Sequence, residues 1–316
     1  INAKNNNGIF TDVTASVCPP LKNTGMVTAA VSTDFNNDQQ PDLIIAGDWM
    51  PVRFFKNSNG RLEEVTHATG LTAMNGMWRS LIASDIDNDG DMDLVAGNIG
   101  LNNYYRVSND EPMQLYAADL DGNGSIDPVY FYYIKSKDGK KYAYPGISRS
   151  QFADQTPIIK KQFLMHEDYA KAKFDDIFKG KVKDSMYQVF CDETRTCVLE
   201  NKGNGKFEKH PLPVEAQFAP VNAIICYDLD GDGNKDLLLA GNEYQAEVMR
   251  GRYDASYGCF LRGNGKNNFL AVSPVKSGFI VDGDVKDMAL VTMTDKSKRI
   301  LVGVNNDSLR VFAVGK

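Results

Sequence analysis

The sequence predicts an all-β protein, a β-propeller of about six four-stranded blades, with five to seven compatible with the pattern. Three observations predict it. A unit of strand, acidic loop and second strand recurs four times. Further short strands joined by Asn-Gly turns follow the units. The two ends of the chain carry complementary parts of one blade. A repeat of about 40–55 residues rich in short strands marks this architecture.

The four units read AAVSTDFNNDQQPDLIIAGDW, LIASDIDNDGDMDLVAGNIG, YAADLDGNGSIDPVYFYY and IICYDLDGDGNKDLLLAGNE, with first acids Asp34, Asp85, Asp119 and Asp228. After Leu43-Ile44-Ile45-Ala46-Gly47 come a third strand, Val52-Arg53-Phe54-Phe55, and a fourth, Arg61 to Val65, around Asn59-Gly60. Asn-Gly between strand-like runs signals a hairpin. The same ending recurs at Asn204-Gly205 before Lys206 to His210, and at Gly263-Asn264-Gly265 before Phe269 to Val272. The C-terminal stretch supplies three strands, Met288 to Met293, Arg299 to Val304 and Leu309 to Val314. Gly8 to Val13 then reads as the missing fourth strand, closing the ring and removing an open sheet edge. Between 148 and 180 the β pattern breaks. Thr156-Pro157 reads as a helix start, and Phe163, Leu164, Tyr169, Ala172, Phe174, Ile177 and Phe178 recur at helical spacing. The stretch is expected to be an insertion of two or three short helices, packed on the propeller, within one domain spanning 1–316.

Composition bounds the function classes. The chain has 316 residues, 42% hydrophobic and 24% charged, with net charge −6. Enough apolar surface exists for a core, and the acidic balance argues against a nucleic-acid partner. No apolar run approaches the roughly 20 residues of a membrane span. The chain begins at Ile1 without a leader pattern, so it reads as a mature form or a piece of a larger protein with flanking domains. Cys18, Cys191, Cys197, Cys226 and Cys259 show no metal-type pair spacing. Cys191 and Cys197 could face each other across a hairpin.

Each acidic loop sets oxygen-bearing side chains at positions 1, 3, 5 and 9. They are Asp34, Asn36, Asp38 and Asp42; Asp85, Asp87, Asp89 and Asp93; Asp119, Asp121, Asn123 and Asp127; and Asp228, Asp230, Asp232 and Asp236. Gln40, Asp91, Ser125 and Asn234 stand at position 7, where a backbone carbonyl adds a ligand. Ca²⁺ takes six to eight oxygen ligands, and without a cation the crowded carboxylates would repel. Three or four structural calcium ions are expected. Gly90, Gly124 and Gly233 at position 6 suit a sharp turn, where the first loop has Gln39. Position 12 is Ile45, Ala96, Tyr130 or Leu239, which excludes the bidentate Glu of an EF-hand. A fifth stretch, Asp282 to Asp287, carries Lys286 at its fifth position and reads as a degenerate loop without metal.

The layout D-x-D-x-D-G-x-x-D-L, followed by a strand and Ala-Gly, resembles the FG-GAP/VCBS repeat also found in integrin α-subunit propellers. TDFNNDQQPDLIIAGDWMP, DIDNDGDMDLVAGNIGLNNYY, LPVEAQFAPVNAI and GRYDASYG resemble the C-terminal propeller of large exported VCBS-repeat proteins of Bacteroidetes. The resemblance implies calcium in the loop between the first two strands of a blade, and a periplasmic, cell-surface or extracellular location. It implies no single activity.

No catalytic motif is present: G-x-S-x-G, a P-loop and H-E-x-x-H are all missing, and His67, His166 and His210 sit in no metal or catalytic motif. The connection from Asn242 to Tyr257 gathers Tyr244, Arg250, Arg252, Tyr253, Asp254 and Tyr257, a set suited to a sugar or acidic ligand. Trp49 and Trp78 line a binding face or fill gaps between blades. The expected function is a binding or scaffold module for glycan or protein ligands. A polysaccharide-active enzyme with its site on one face, and an integrin-like adhesion module, are the alternatives left open.

Overall fold

A computed structural model describes residues 3–71, 74–178, 186–246 and 251–315. It divides into two compact units, one formed by Ile1–Asn103 with Thr194–Lys316, the other by Tyr104–Glu193.

The strands of the first unit are β1 (Ala3–Asn6), β2 (Ile9–Asp12), β3 (Met26–Thr33), β4 (Asp42–Met50), β5 (Arg53–Ser58), β6 (Arg61–Glu64), β7 (Gly76–Met77), β8 (Ser80–Ser84) and β9 (Asp93–Gly97). In the second unit follow β10 (Met113–Ala118), β11 (Asp127–Lys135), β12 (Lys141–Pro145) and β13 (Tyr187–Cys191). The first unit resumes with β14 (Cys197–Asn201), β15 (Phe207–Pro211), β16 (Val221–Tyr227), β17 (Asp236–Gly241), β18 (Cys259–Gly263), β19 (Phe269–Val272), β20 (Val285–Thr292), β21 (Lys298–Val304) and β22 (Arg310–Ala313).

All pairings given are antiparallel. The first unit holds β3-β4-β5-β6 with β7 on β4, then β8-β9-β14-β15, β16-β17-β18-β19, and the three-stranded β20-β21-β22. In every one the second strand lies inside the sheet. On β9 and β17 the run is apolar without alternation because both faces are buried. On β17, Leu238 packs towards Val302 and Ile300 of the last sheet, while Leu237 and Leu239 pack towards Val95 and Val198 of the sheet before. On β9, Val95 faces one side, and Leu94 and Ala96 join Phe54 and Trp78 on the other.

The Ala-Gly that ends these strands has a steric cause. A Cβ on Gly47, Gly97 or Gly241 would lie 2.0 Å from Met26 O, 2.4 Å from Val221 O and 1.7 Å from Pro220 O respectively. Opposite Gly47 and Gly241 the first strand shifts register, leaving Thr28 and Asn222 as extra residues. Their side chains reach the next sheet. Thr28 Oγ1 donates to Trp78 O at 2.7 Å, Ser80 Oγ to Val221 O at 2.7 Å, and Asn222 Nδ2 to Val285 O at 2.8 Å. Each sheet therefore passes one side-chain donor to the entry of the next.

The chain's beginning departs from expectation. β2 pairs with β1 in a two-residue hairpin and not with the last sheet, which has three strands among the described residues. Asn7 and Gly8 take positive φ, 52° and 88°, the Asn-Gly turn that closes a tight hairpin. A two-residue closure costs far less chain entropy than one across the molecule. Besides this hairpin, the described residues form five sheets of three or more strands.

The second unit intervenes between β9 and β14 of one sheet. It has its own sheet, β13-β10-β11-β12. Four short helices, Arg149–Gln155, Ile158–Gln162, His166–Ala170 and Phe174–Ile177, supply the expected helical stretch; its last two residues, 179 and 180, lie outside the described ones. The first helix starts earlier than the Thr156-Pro157 signal, at a capping box between Ser148 and Gln151. The apolar stripe covers this unit's own sheet: Phe174 and Phe178 stand 4.5 Å apart and close on Tyr116 and Phe131. Cys191 ends β13 and Cys197 opens β14, so the two belong to different sheets and not to one hairpin. All five cysteines are thiols.

Ser80→Ala removes the donor to Val221 O and is expected to cost about 1–3 kcal/mol, the penalty of an unsatisfied buried carbonyl. Urea unfolding checks it.

Candidate metal centres

All four acidic loops join the first two strands of a sheet. They connect β3 to β4, β8 to β9, β10 to β11 and β16 to β17. Their shared conformation follows from local hydrogen bonds. The first acid accepts from the backbone N–H at position 6: Gln39 to Asp34 (2.6 Å), Gly90 to Asp85 (3.2 Å), Gly124 to Asp119 (2.9 Å) and Gly233 to Asp228 (3.1 Å). The fifth side chain accepts from position 7, as with Asp232 and Asn234 N at 2.8 Å. Positions 4 and 6 are left-handed. Gln39 carries φ 66° where the others have glycine, and Asn37, Asn88, Gly122 and Gly231 fill position 4.

The ninth residue is buried and ties the loop together. Its Oδ2 accepts from the N–H of position 2 in every loop: Phe35 (3.3 Å), Ile86 (3.1 Å), Leu120 (2.9 Å) and Leu229 (2.9 Å). In three loops its Oδ1 also takes an N–H from the sheet's third strand: Asn57 to Asp42 (2.7 Å), Asn201 to Asp93 (2.7 Å) and Gly263 to Asp236 (2.9 Å).

Three sets of carboxylates converge. Asp85, Asp87 and Asp93, then Asp119, Asp121 and Asp127, then Asp228, Asp230 and Asp236 each bring one oxygen to within 4.8 Å of the others. In the second loop, Oδ1 of Asp85 and Oδ1 of Asp87 are buried without a hydrogen-bond partner. Burial, with Asp87 and Asp89 nearby, overrides the Asn201 and Ile86 N–H bonds and pushes Asp93 up to about 7. Burial and the neighbouring Asp89, Glu200 and Asp85 raise Asp87 as well. These oxygens fit a hard divalent cation, which would supply the missing partner and relieve the repulsion.

The loops differ in what the protein itself supplies. In the first, Lys56 Nζ lies 3.1 Å from Asp38, and Asn36 Nδ2 donates to Asp42 at 2.9 Å. Gln40 Oε1 accepts from Asn59 N at 2.8 Å, and the Asp91 carboxylate of the second loop accepts from Asn37. In the fourth, Arg262 Nε sits 2.6 Å from Asp230. In the Asp282 to Asp287 stretch, the Lys286 ammonium lies 2.8 Å from buried Asp284, and Arg310 pairs with Asp282.

In the 242–257 connection, Glu243 bridges to Tyr253 and the Arg252 guanidinium lies 4.7 Å over the Tyr244 ring. Asp254 and Tyr257 are exposed, and Arg250 lies outside the described residues. Trp78 is fully buried and donates to Met50 O at 3.1 Å, so it fills the space between sheets; Trp49, which precedes Met50 on β4, takes φ 60°. His67 and His166 are exposed. His210 was unassigned by motif, yet cross-strand pairing brings it to Glu200 and Glu208. The period-two alternation of Glu200, Glu208 and His210 on paired strands was the available signal.

Asp236→Ala would orphan the N–H groups of Leu229 and Gly263. It is expected to cost about 2–6 kcal/mol in EGTA, by denaturant unfolding, and more in calcium, where Asp236 also belongs to the cation's donor set. Gln39→Gly is expected to raise stability by about 1 kcal/mol in the same assay, through relief of the left-handed backbone.

No curated protein matches the sequence. Among the solved structures that resemble it weakly are two. One is the biofilm matrix protein Bap1 of V. cholerae, 10% identical, TM-score 0.31, over 91% of this chain and 62% of that one. The chain thus spans less than two thirds of that protein's length. The other is BBS1N in complex with ARL6DN, 12% identical, TM-score 0.26, over 92% of this chain and 79% of that one. Residues 34–96, which hold the first two acidic loops and the strands around them, match the FG-GAP-like repeat family, and the chain carries that repeat.

Proposed function

We propose that this chain is a calcium-stabilised, propeller-like binding module of an exported or cell-surface protein. The observation that carries the reading is the second loop, whose convergent triad contains two buried carboxylate oxygens without a partner. The same 1-3-9 triad in the third and fourth loops extends it to three ions. The first loop brings no such triad together, and Lys56 and Asn36 neutralise or bond its acids, so a fourth ion is held more weakly. The ring-like arrangement is supported by the donor relay between successive sheets of the first unit.

Binding is favoured over hydrolysis by a groove of about 770 Å³ between the third sheet and the last. Leu238, Phe260, Ile300 and Phe312 line it, and its one carboxylate is Asp230, which is held by Arg262 and belongs to the fourth loop. A glycosidase needs two carboxylic groups flanking the scissile bond. The ligand surface is proposed at the 242–257 connection, where the stacked Arg252 and Tyr244 and the exposed Tyr257 suit glycan or acidic groups.

Elemental analysis of protein dialysed against calcium is expected to find about three ions per chain. The melting temperature is expected to fall in EGTA, since each site contributes about 2.7 kcal/mol when free calcium is about 100 times its Kd. Protein without bound calcium and without a thermal shift would contradict the proposal.

A further inference from the structure

The β14–β15 hairpin brings together a second kind of donor set, with one imidazole and two carboxylates. Register places Glu200 directly opposite Glu208, and Val198 opposite His210. The period-two alternation of strands then sets Glu200, Glu208 and His210 on one face. Like charges directly opposite on paired strands are destabilising, so this pairing calls for a cation. His210 Nε2 lies 2.8 Å from Glu200 Oε2 and 4.0 Å from Glu208 Oε2. One donor atom from each residue falls within 4.8 Å of the other two.

The geometry points to a site for one zinc-class divalent ion, held by His210 Nε2, Glu200 Oε2 and Glu208 Oε2. One imidazole with two carboxylates sets it apart from the all-oxygen loops, because a nitrogen donor selects zinc-like metals over calcium. Zinc–ligand bonds of about 2.0–2.2 Å put donor atoms roughly 3–4 Å apart, close to the spacing already present. Glu200 is also oriented from outside the set. Lys202 Nζ lies 3.0 Å from its other oxygen, Oε1, and the Asn267 amide also donates to the Glu200 carboxylate. Oε2 is thereby left for the metal, a carboxylate held by outer partners. Asn267 also donates to Asp87 Oδ2 at 2.9 Å, so the site borders the second acidic loop without sharing a ligand with it. Three protein ligands on an open hairpin face leave a fourth position for water or a partner's side chain.

The test is a zinc titration of the whole chain, by calorimetry, in saturating calcium. The expected result is one equivalent of zinc, with affinity at least tenfold weaker in His210→Gln and in Glu208→Gln. Glu208 is exposed, so Glu208→Gln folds as the parent does, and equal melting curves in calcium verify this for both variants. Zinc is also expected to shift the imidazole nitrogen resonances of His210 and not those of His67 or His166. Absence of zinc binding, unchanged affinity in both variants, loss of binding as calcium is raised, or a shift confined to His67 or His166 would each overturn the assignment.

Discussion

One interaction organises the molecule: a buried aspartate at the start of a sheet's second strand accepts backbone N–H groups from two directions. Asp42, Asp93 and Asp236 each hold the second residue of their own loop through one oxygen and the third strand through the other. Such charge-assisted bonds are the strong ones, and in a buried setting they leave little tolerance for loss. Asp93 and Asp236 also belong to the sets of acids that converge closely enough to hold a cation. Loop shape and strand pairing therefore act through one side chain, and the proposed metal site would draw on the same carboxylate.

This coupling matters most in the second sheet of the first unit. There about a hundred residues separate β9 from β14, and sequence proximity cannot bring them together. The pairing of Leu94 to Ala96 with Cys197 to Leu199 supplies the register. Asp93 adds the bond to Asn201 N, and Asn201 Nδ2 in turn reaches Phe35 O at 2.8 Å. An inserted unit with its own sheet and aromatic core is tolerated because the break lies between strands whose partners are fixed by side chains as well as by backbone.

The strands and acidic loops were legible because their signals are local. Continuous apolar runs ending in Ala-Gly, Asp or Asn at alternate loop positions, and Asn-Gly turns all act within a few residues. What escaped depends on distant pairing. Asn7-Gly8 carries the same turn signal as Asn59-Gly60, and this local signal prevails over the complementarity between Gly8 to Val13 and the three strands at the far end of the chain. The helical stripe was legible, but its partner, the sheet of β10 to β13, was not, since Phe131 and Tyr116 bear no mark of which helix covers them. The bond from Asn201 to Asp93 and the meeting of His210 with Glu200 arise from register, which no single motif encodes.

The measurement that tests the central claim most directly is amide hydrogen exchange, residue by residue, with calcium and with EGTA. The account predicts that the N–H groups of Ile86, Asn201, Leu229 and Gly263 exchange at least tenfold faster without calcium. Amides at the middle of β4 and β17, held by strand pairing alone, are predicted to change far less. Equal protection of the four loop-tied amides in both conditions would contradict it.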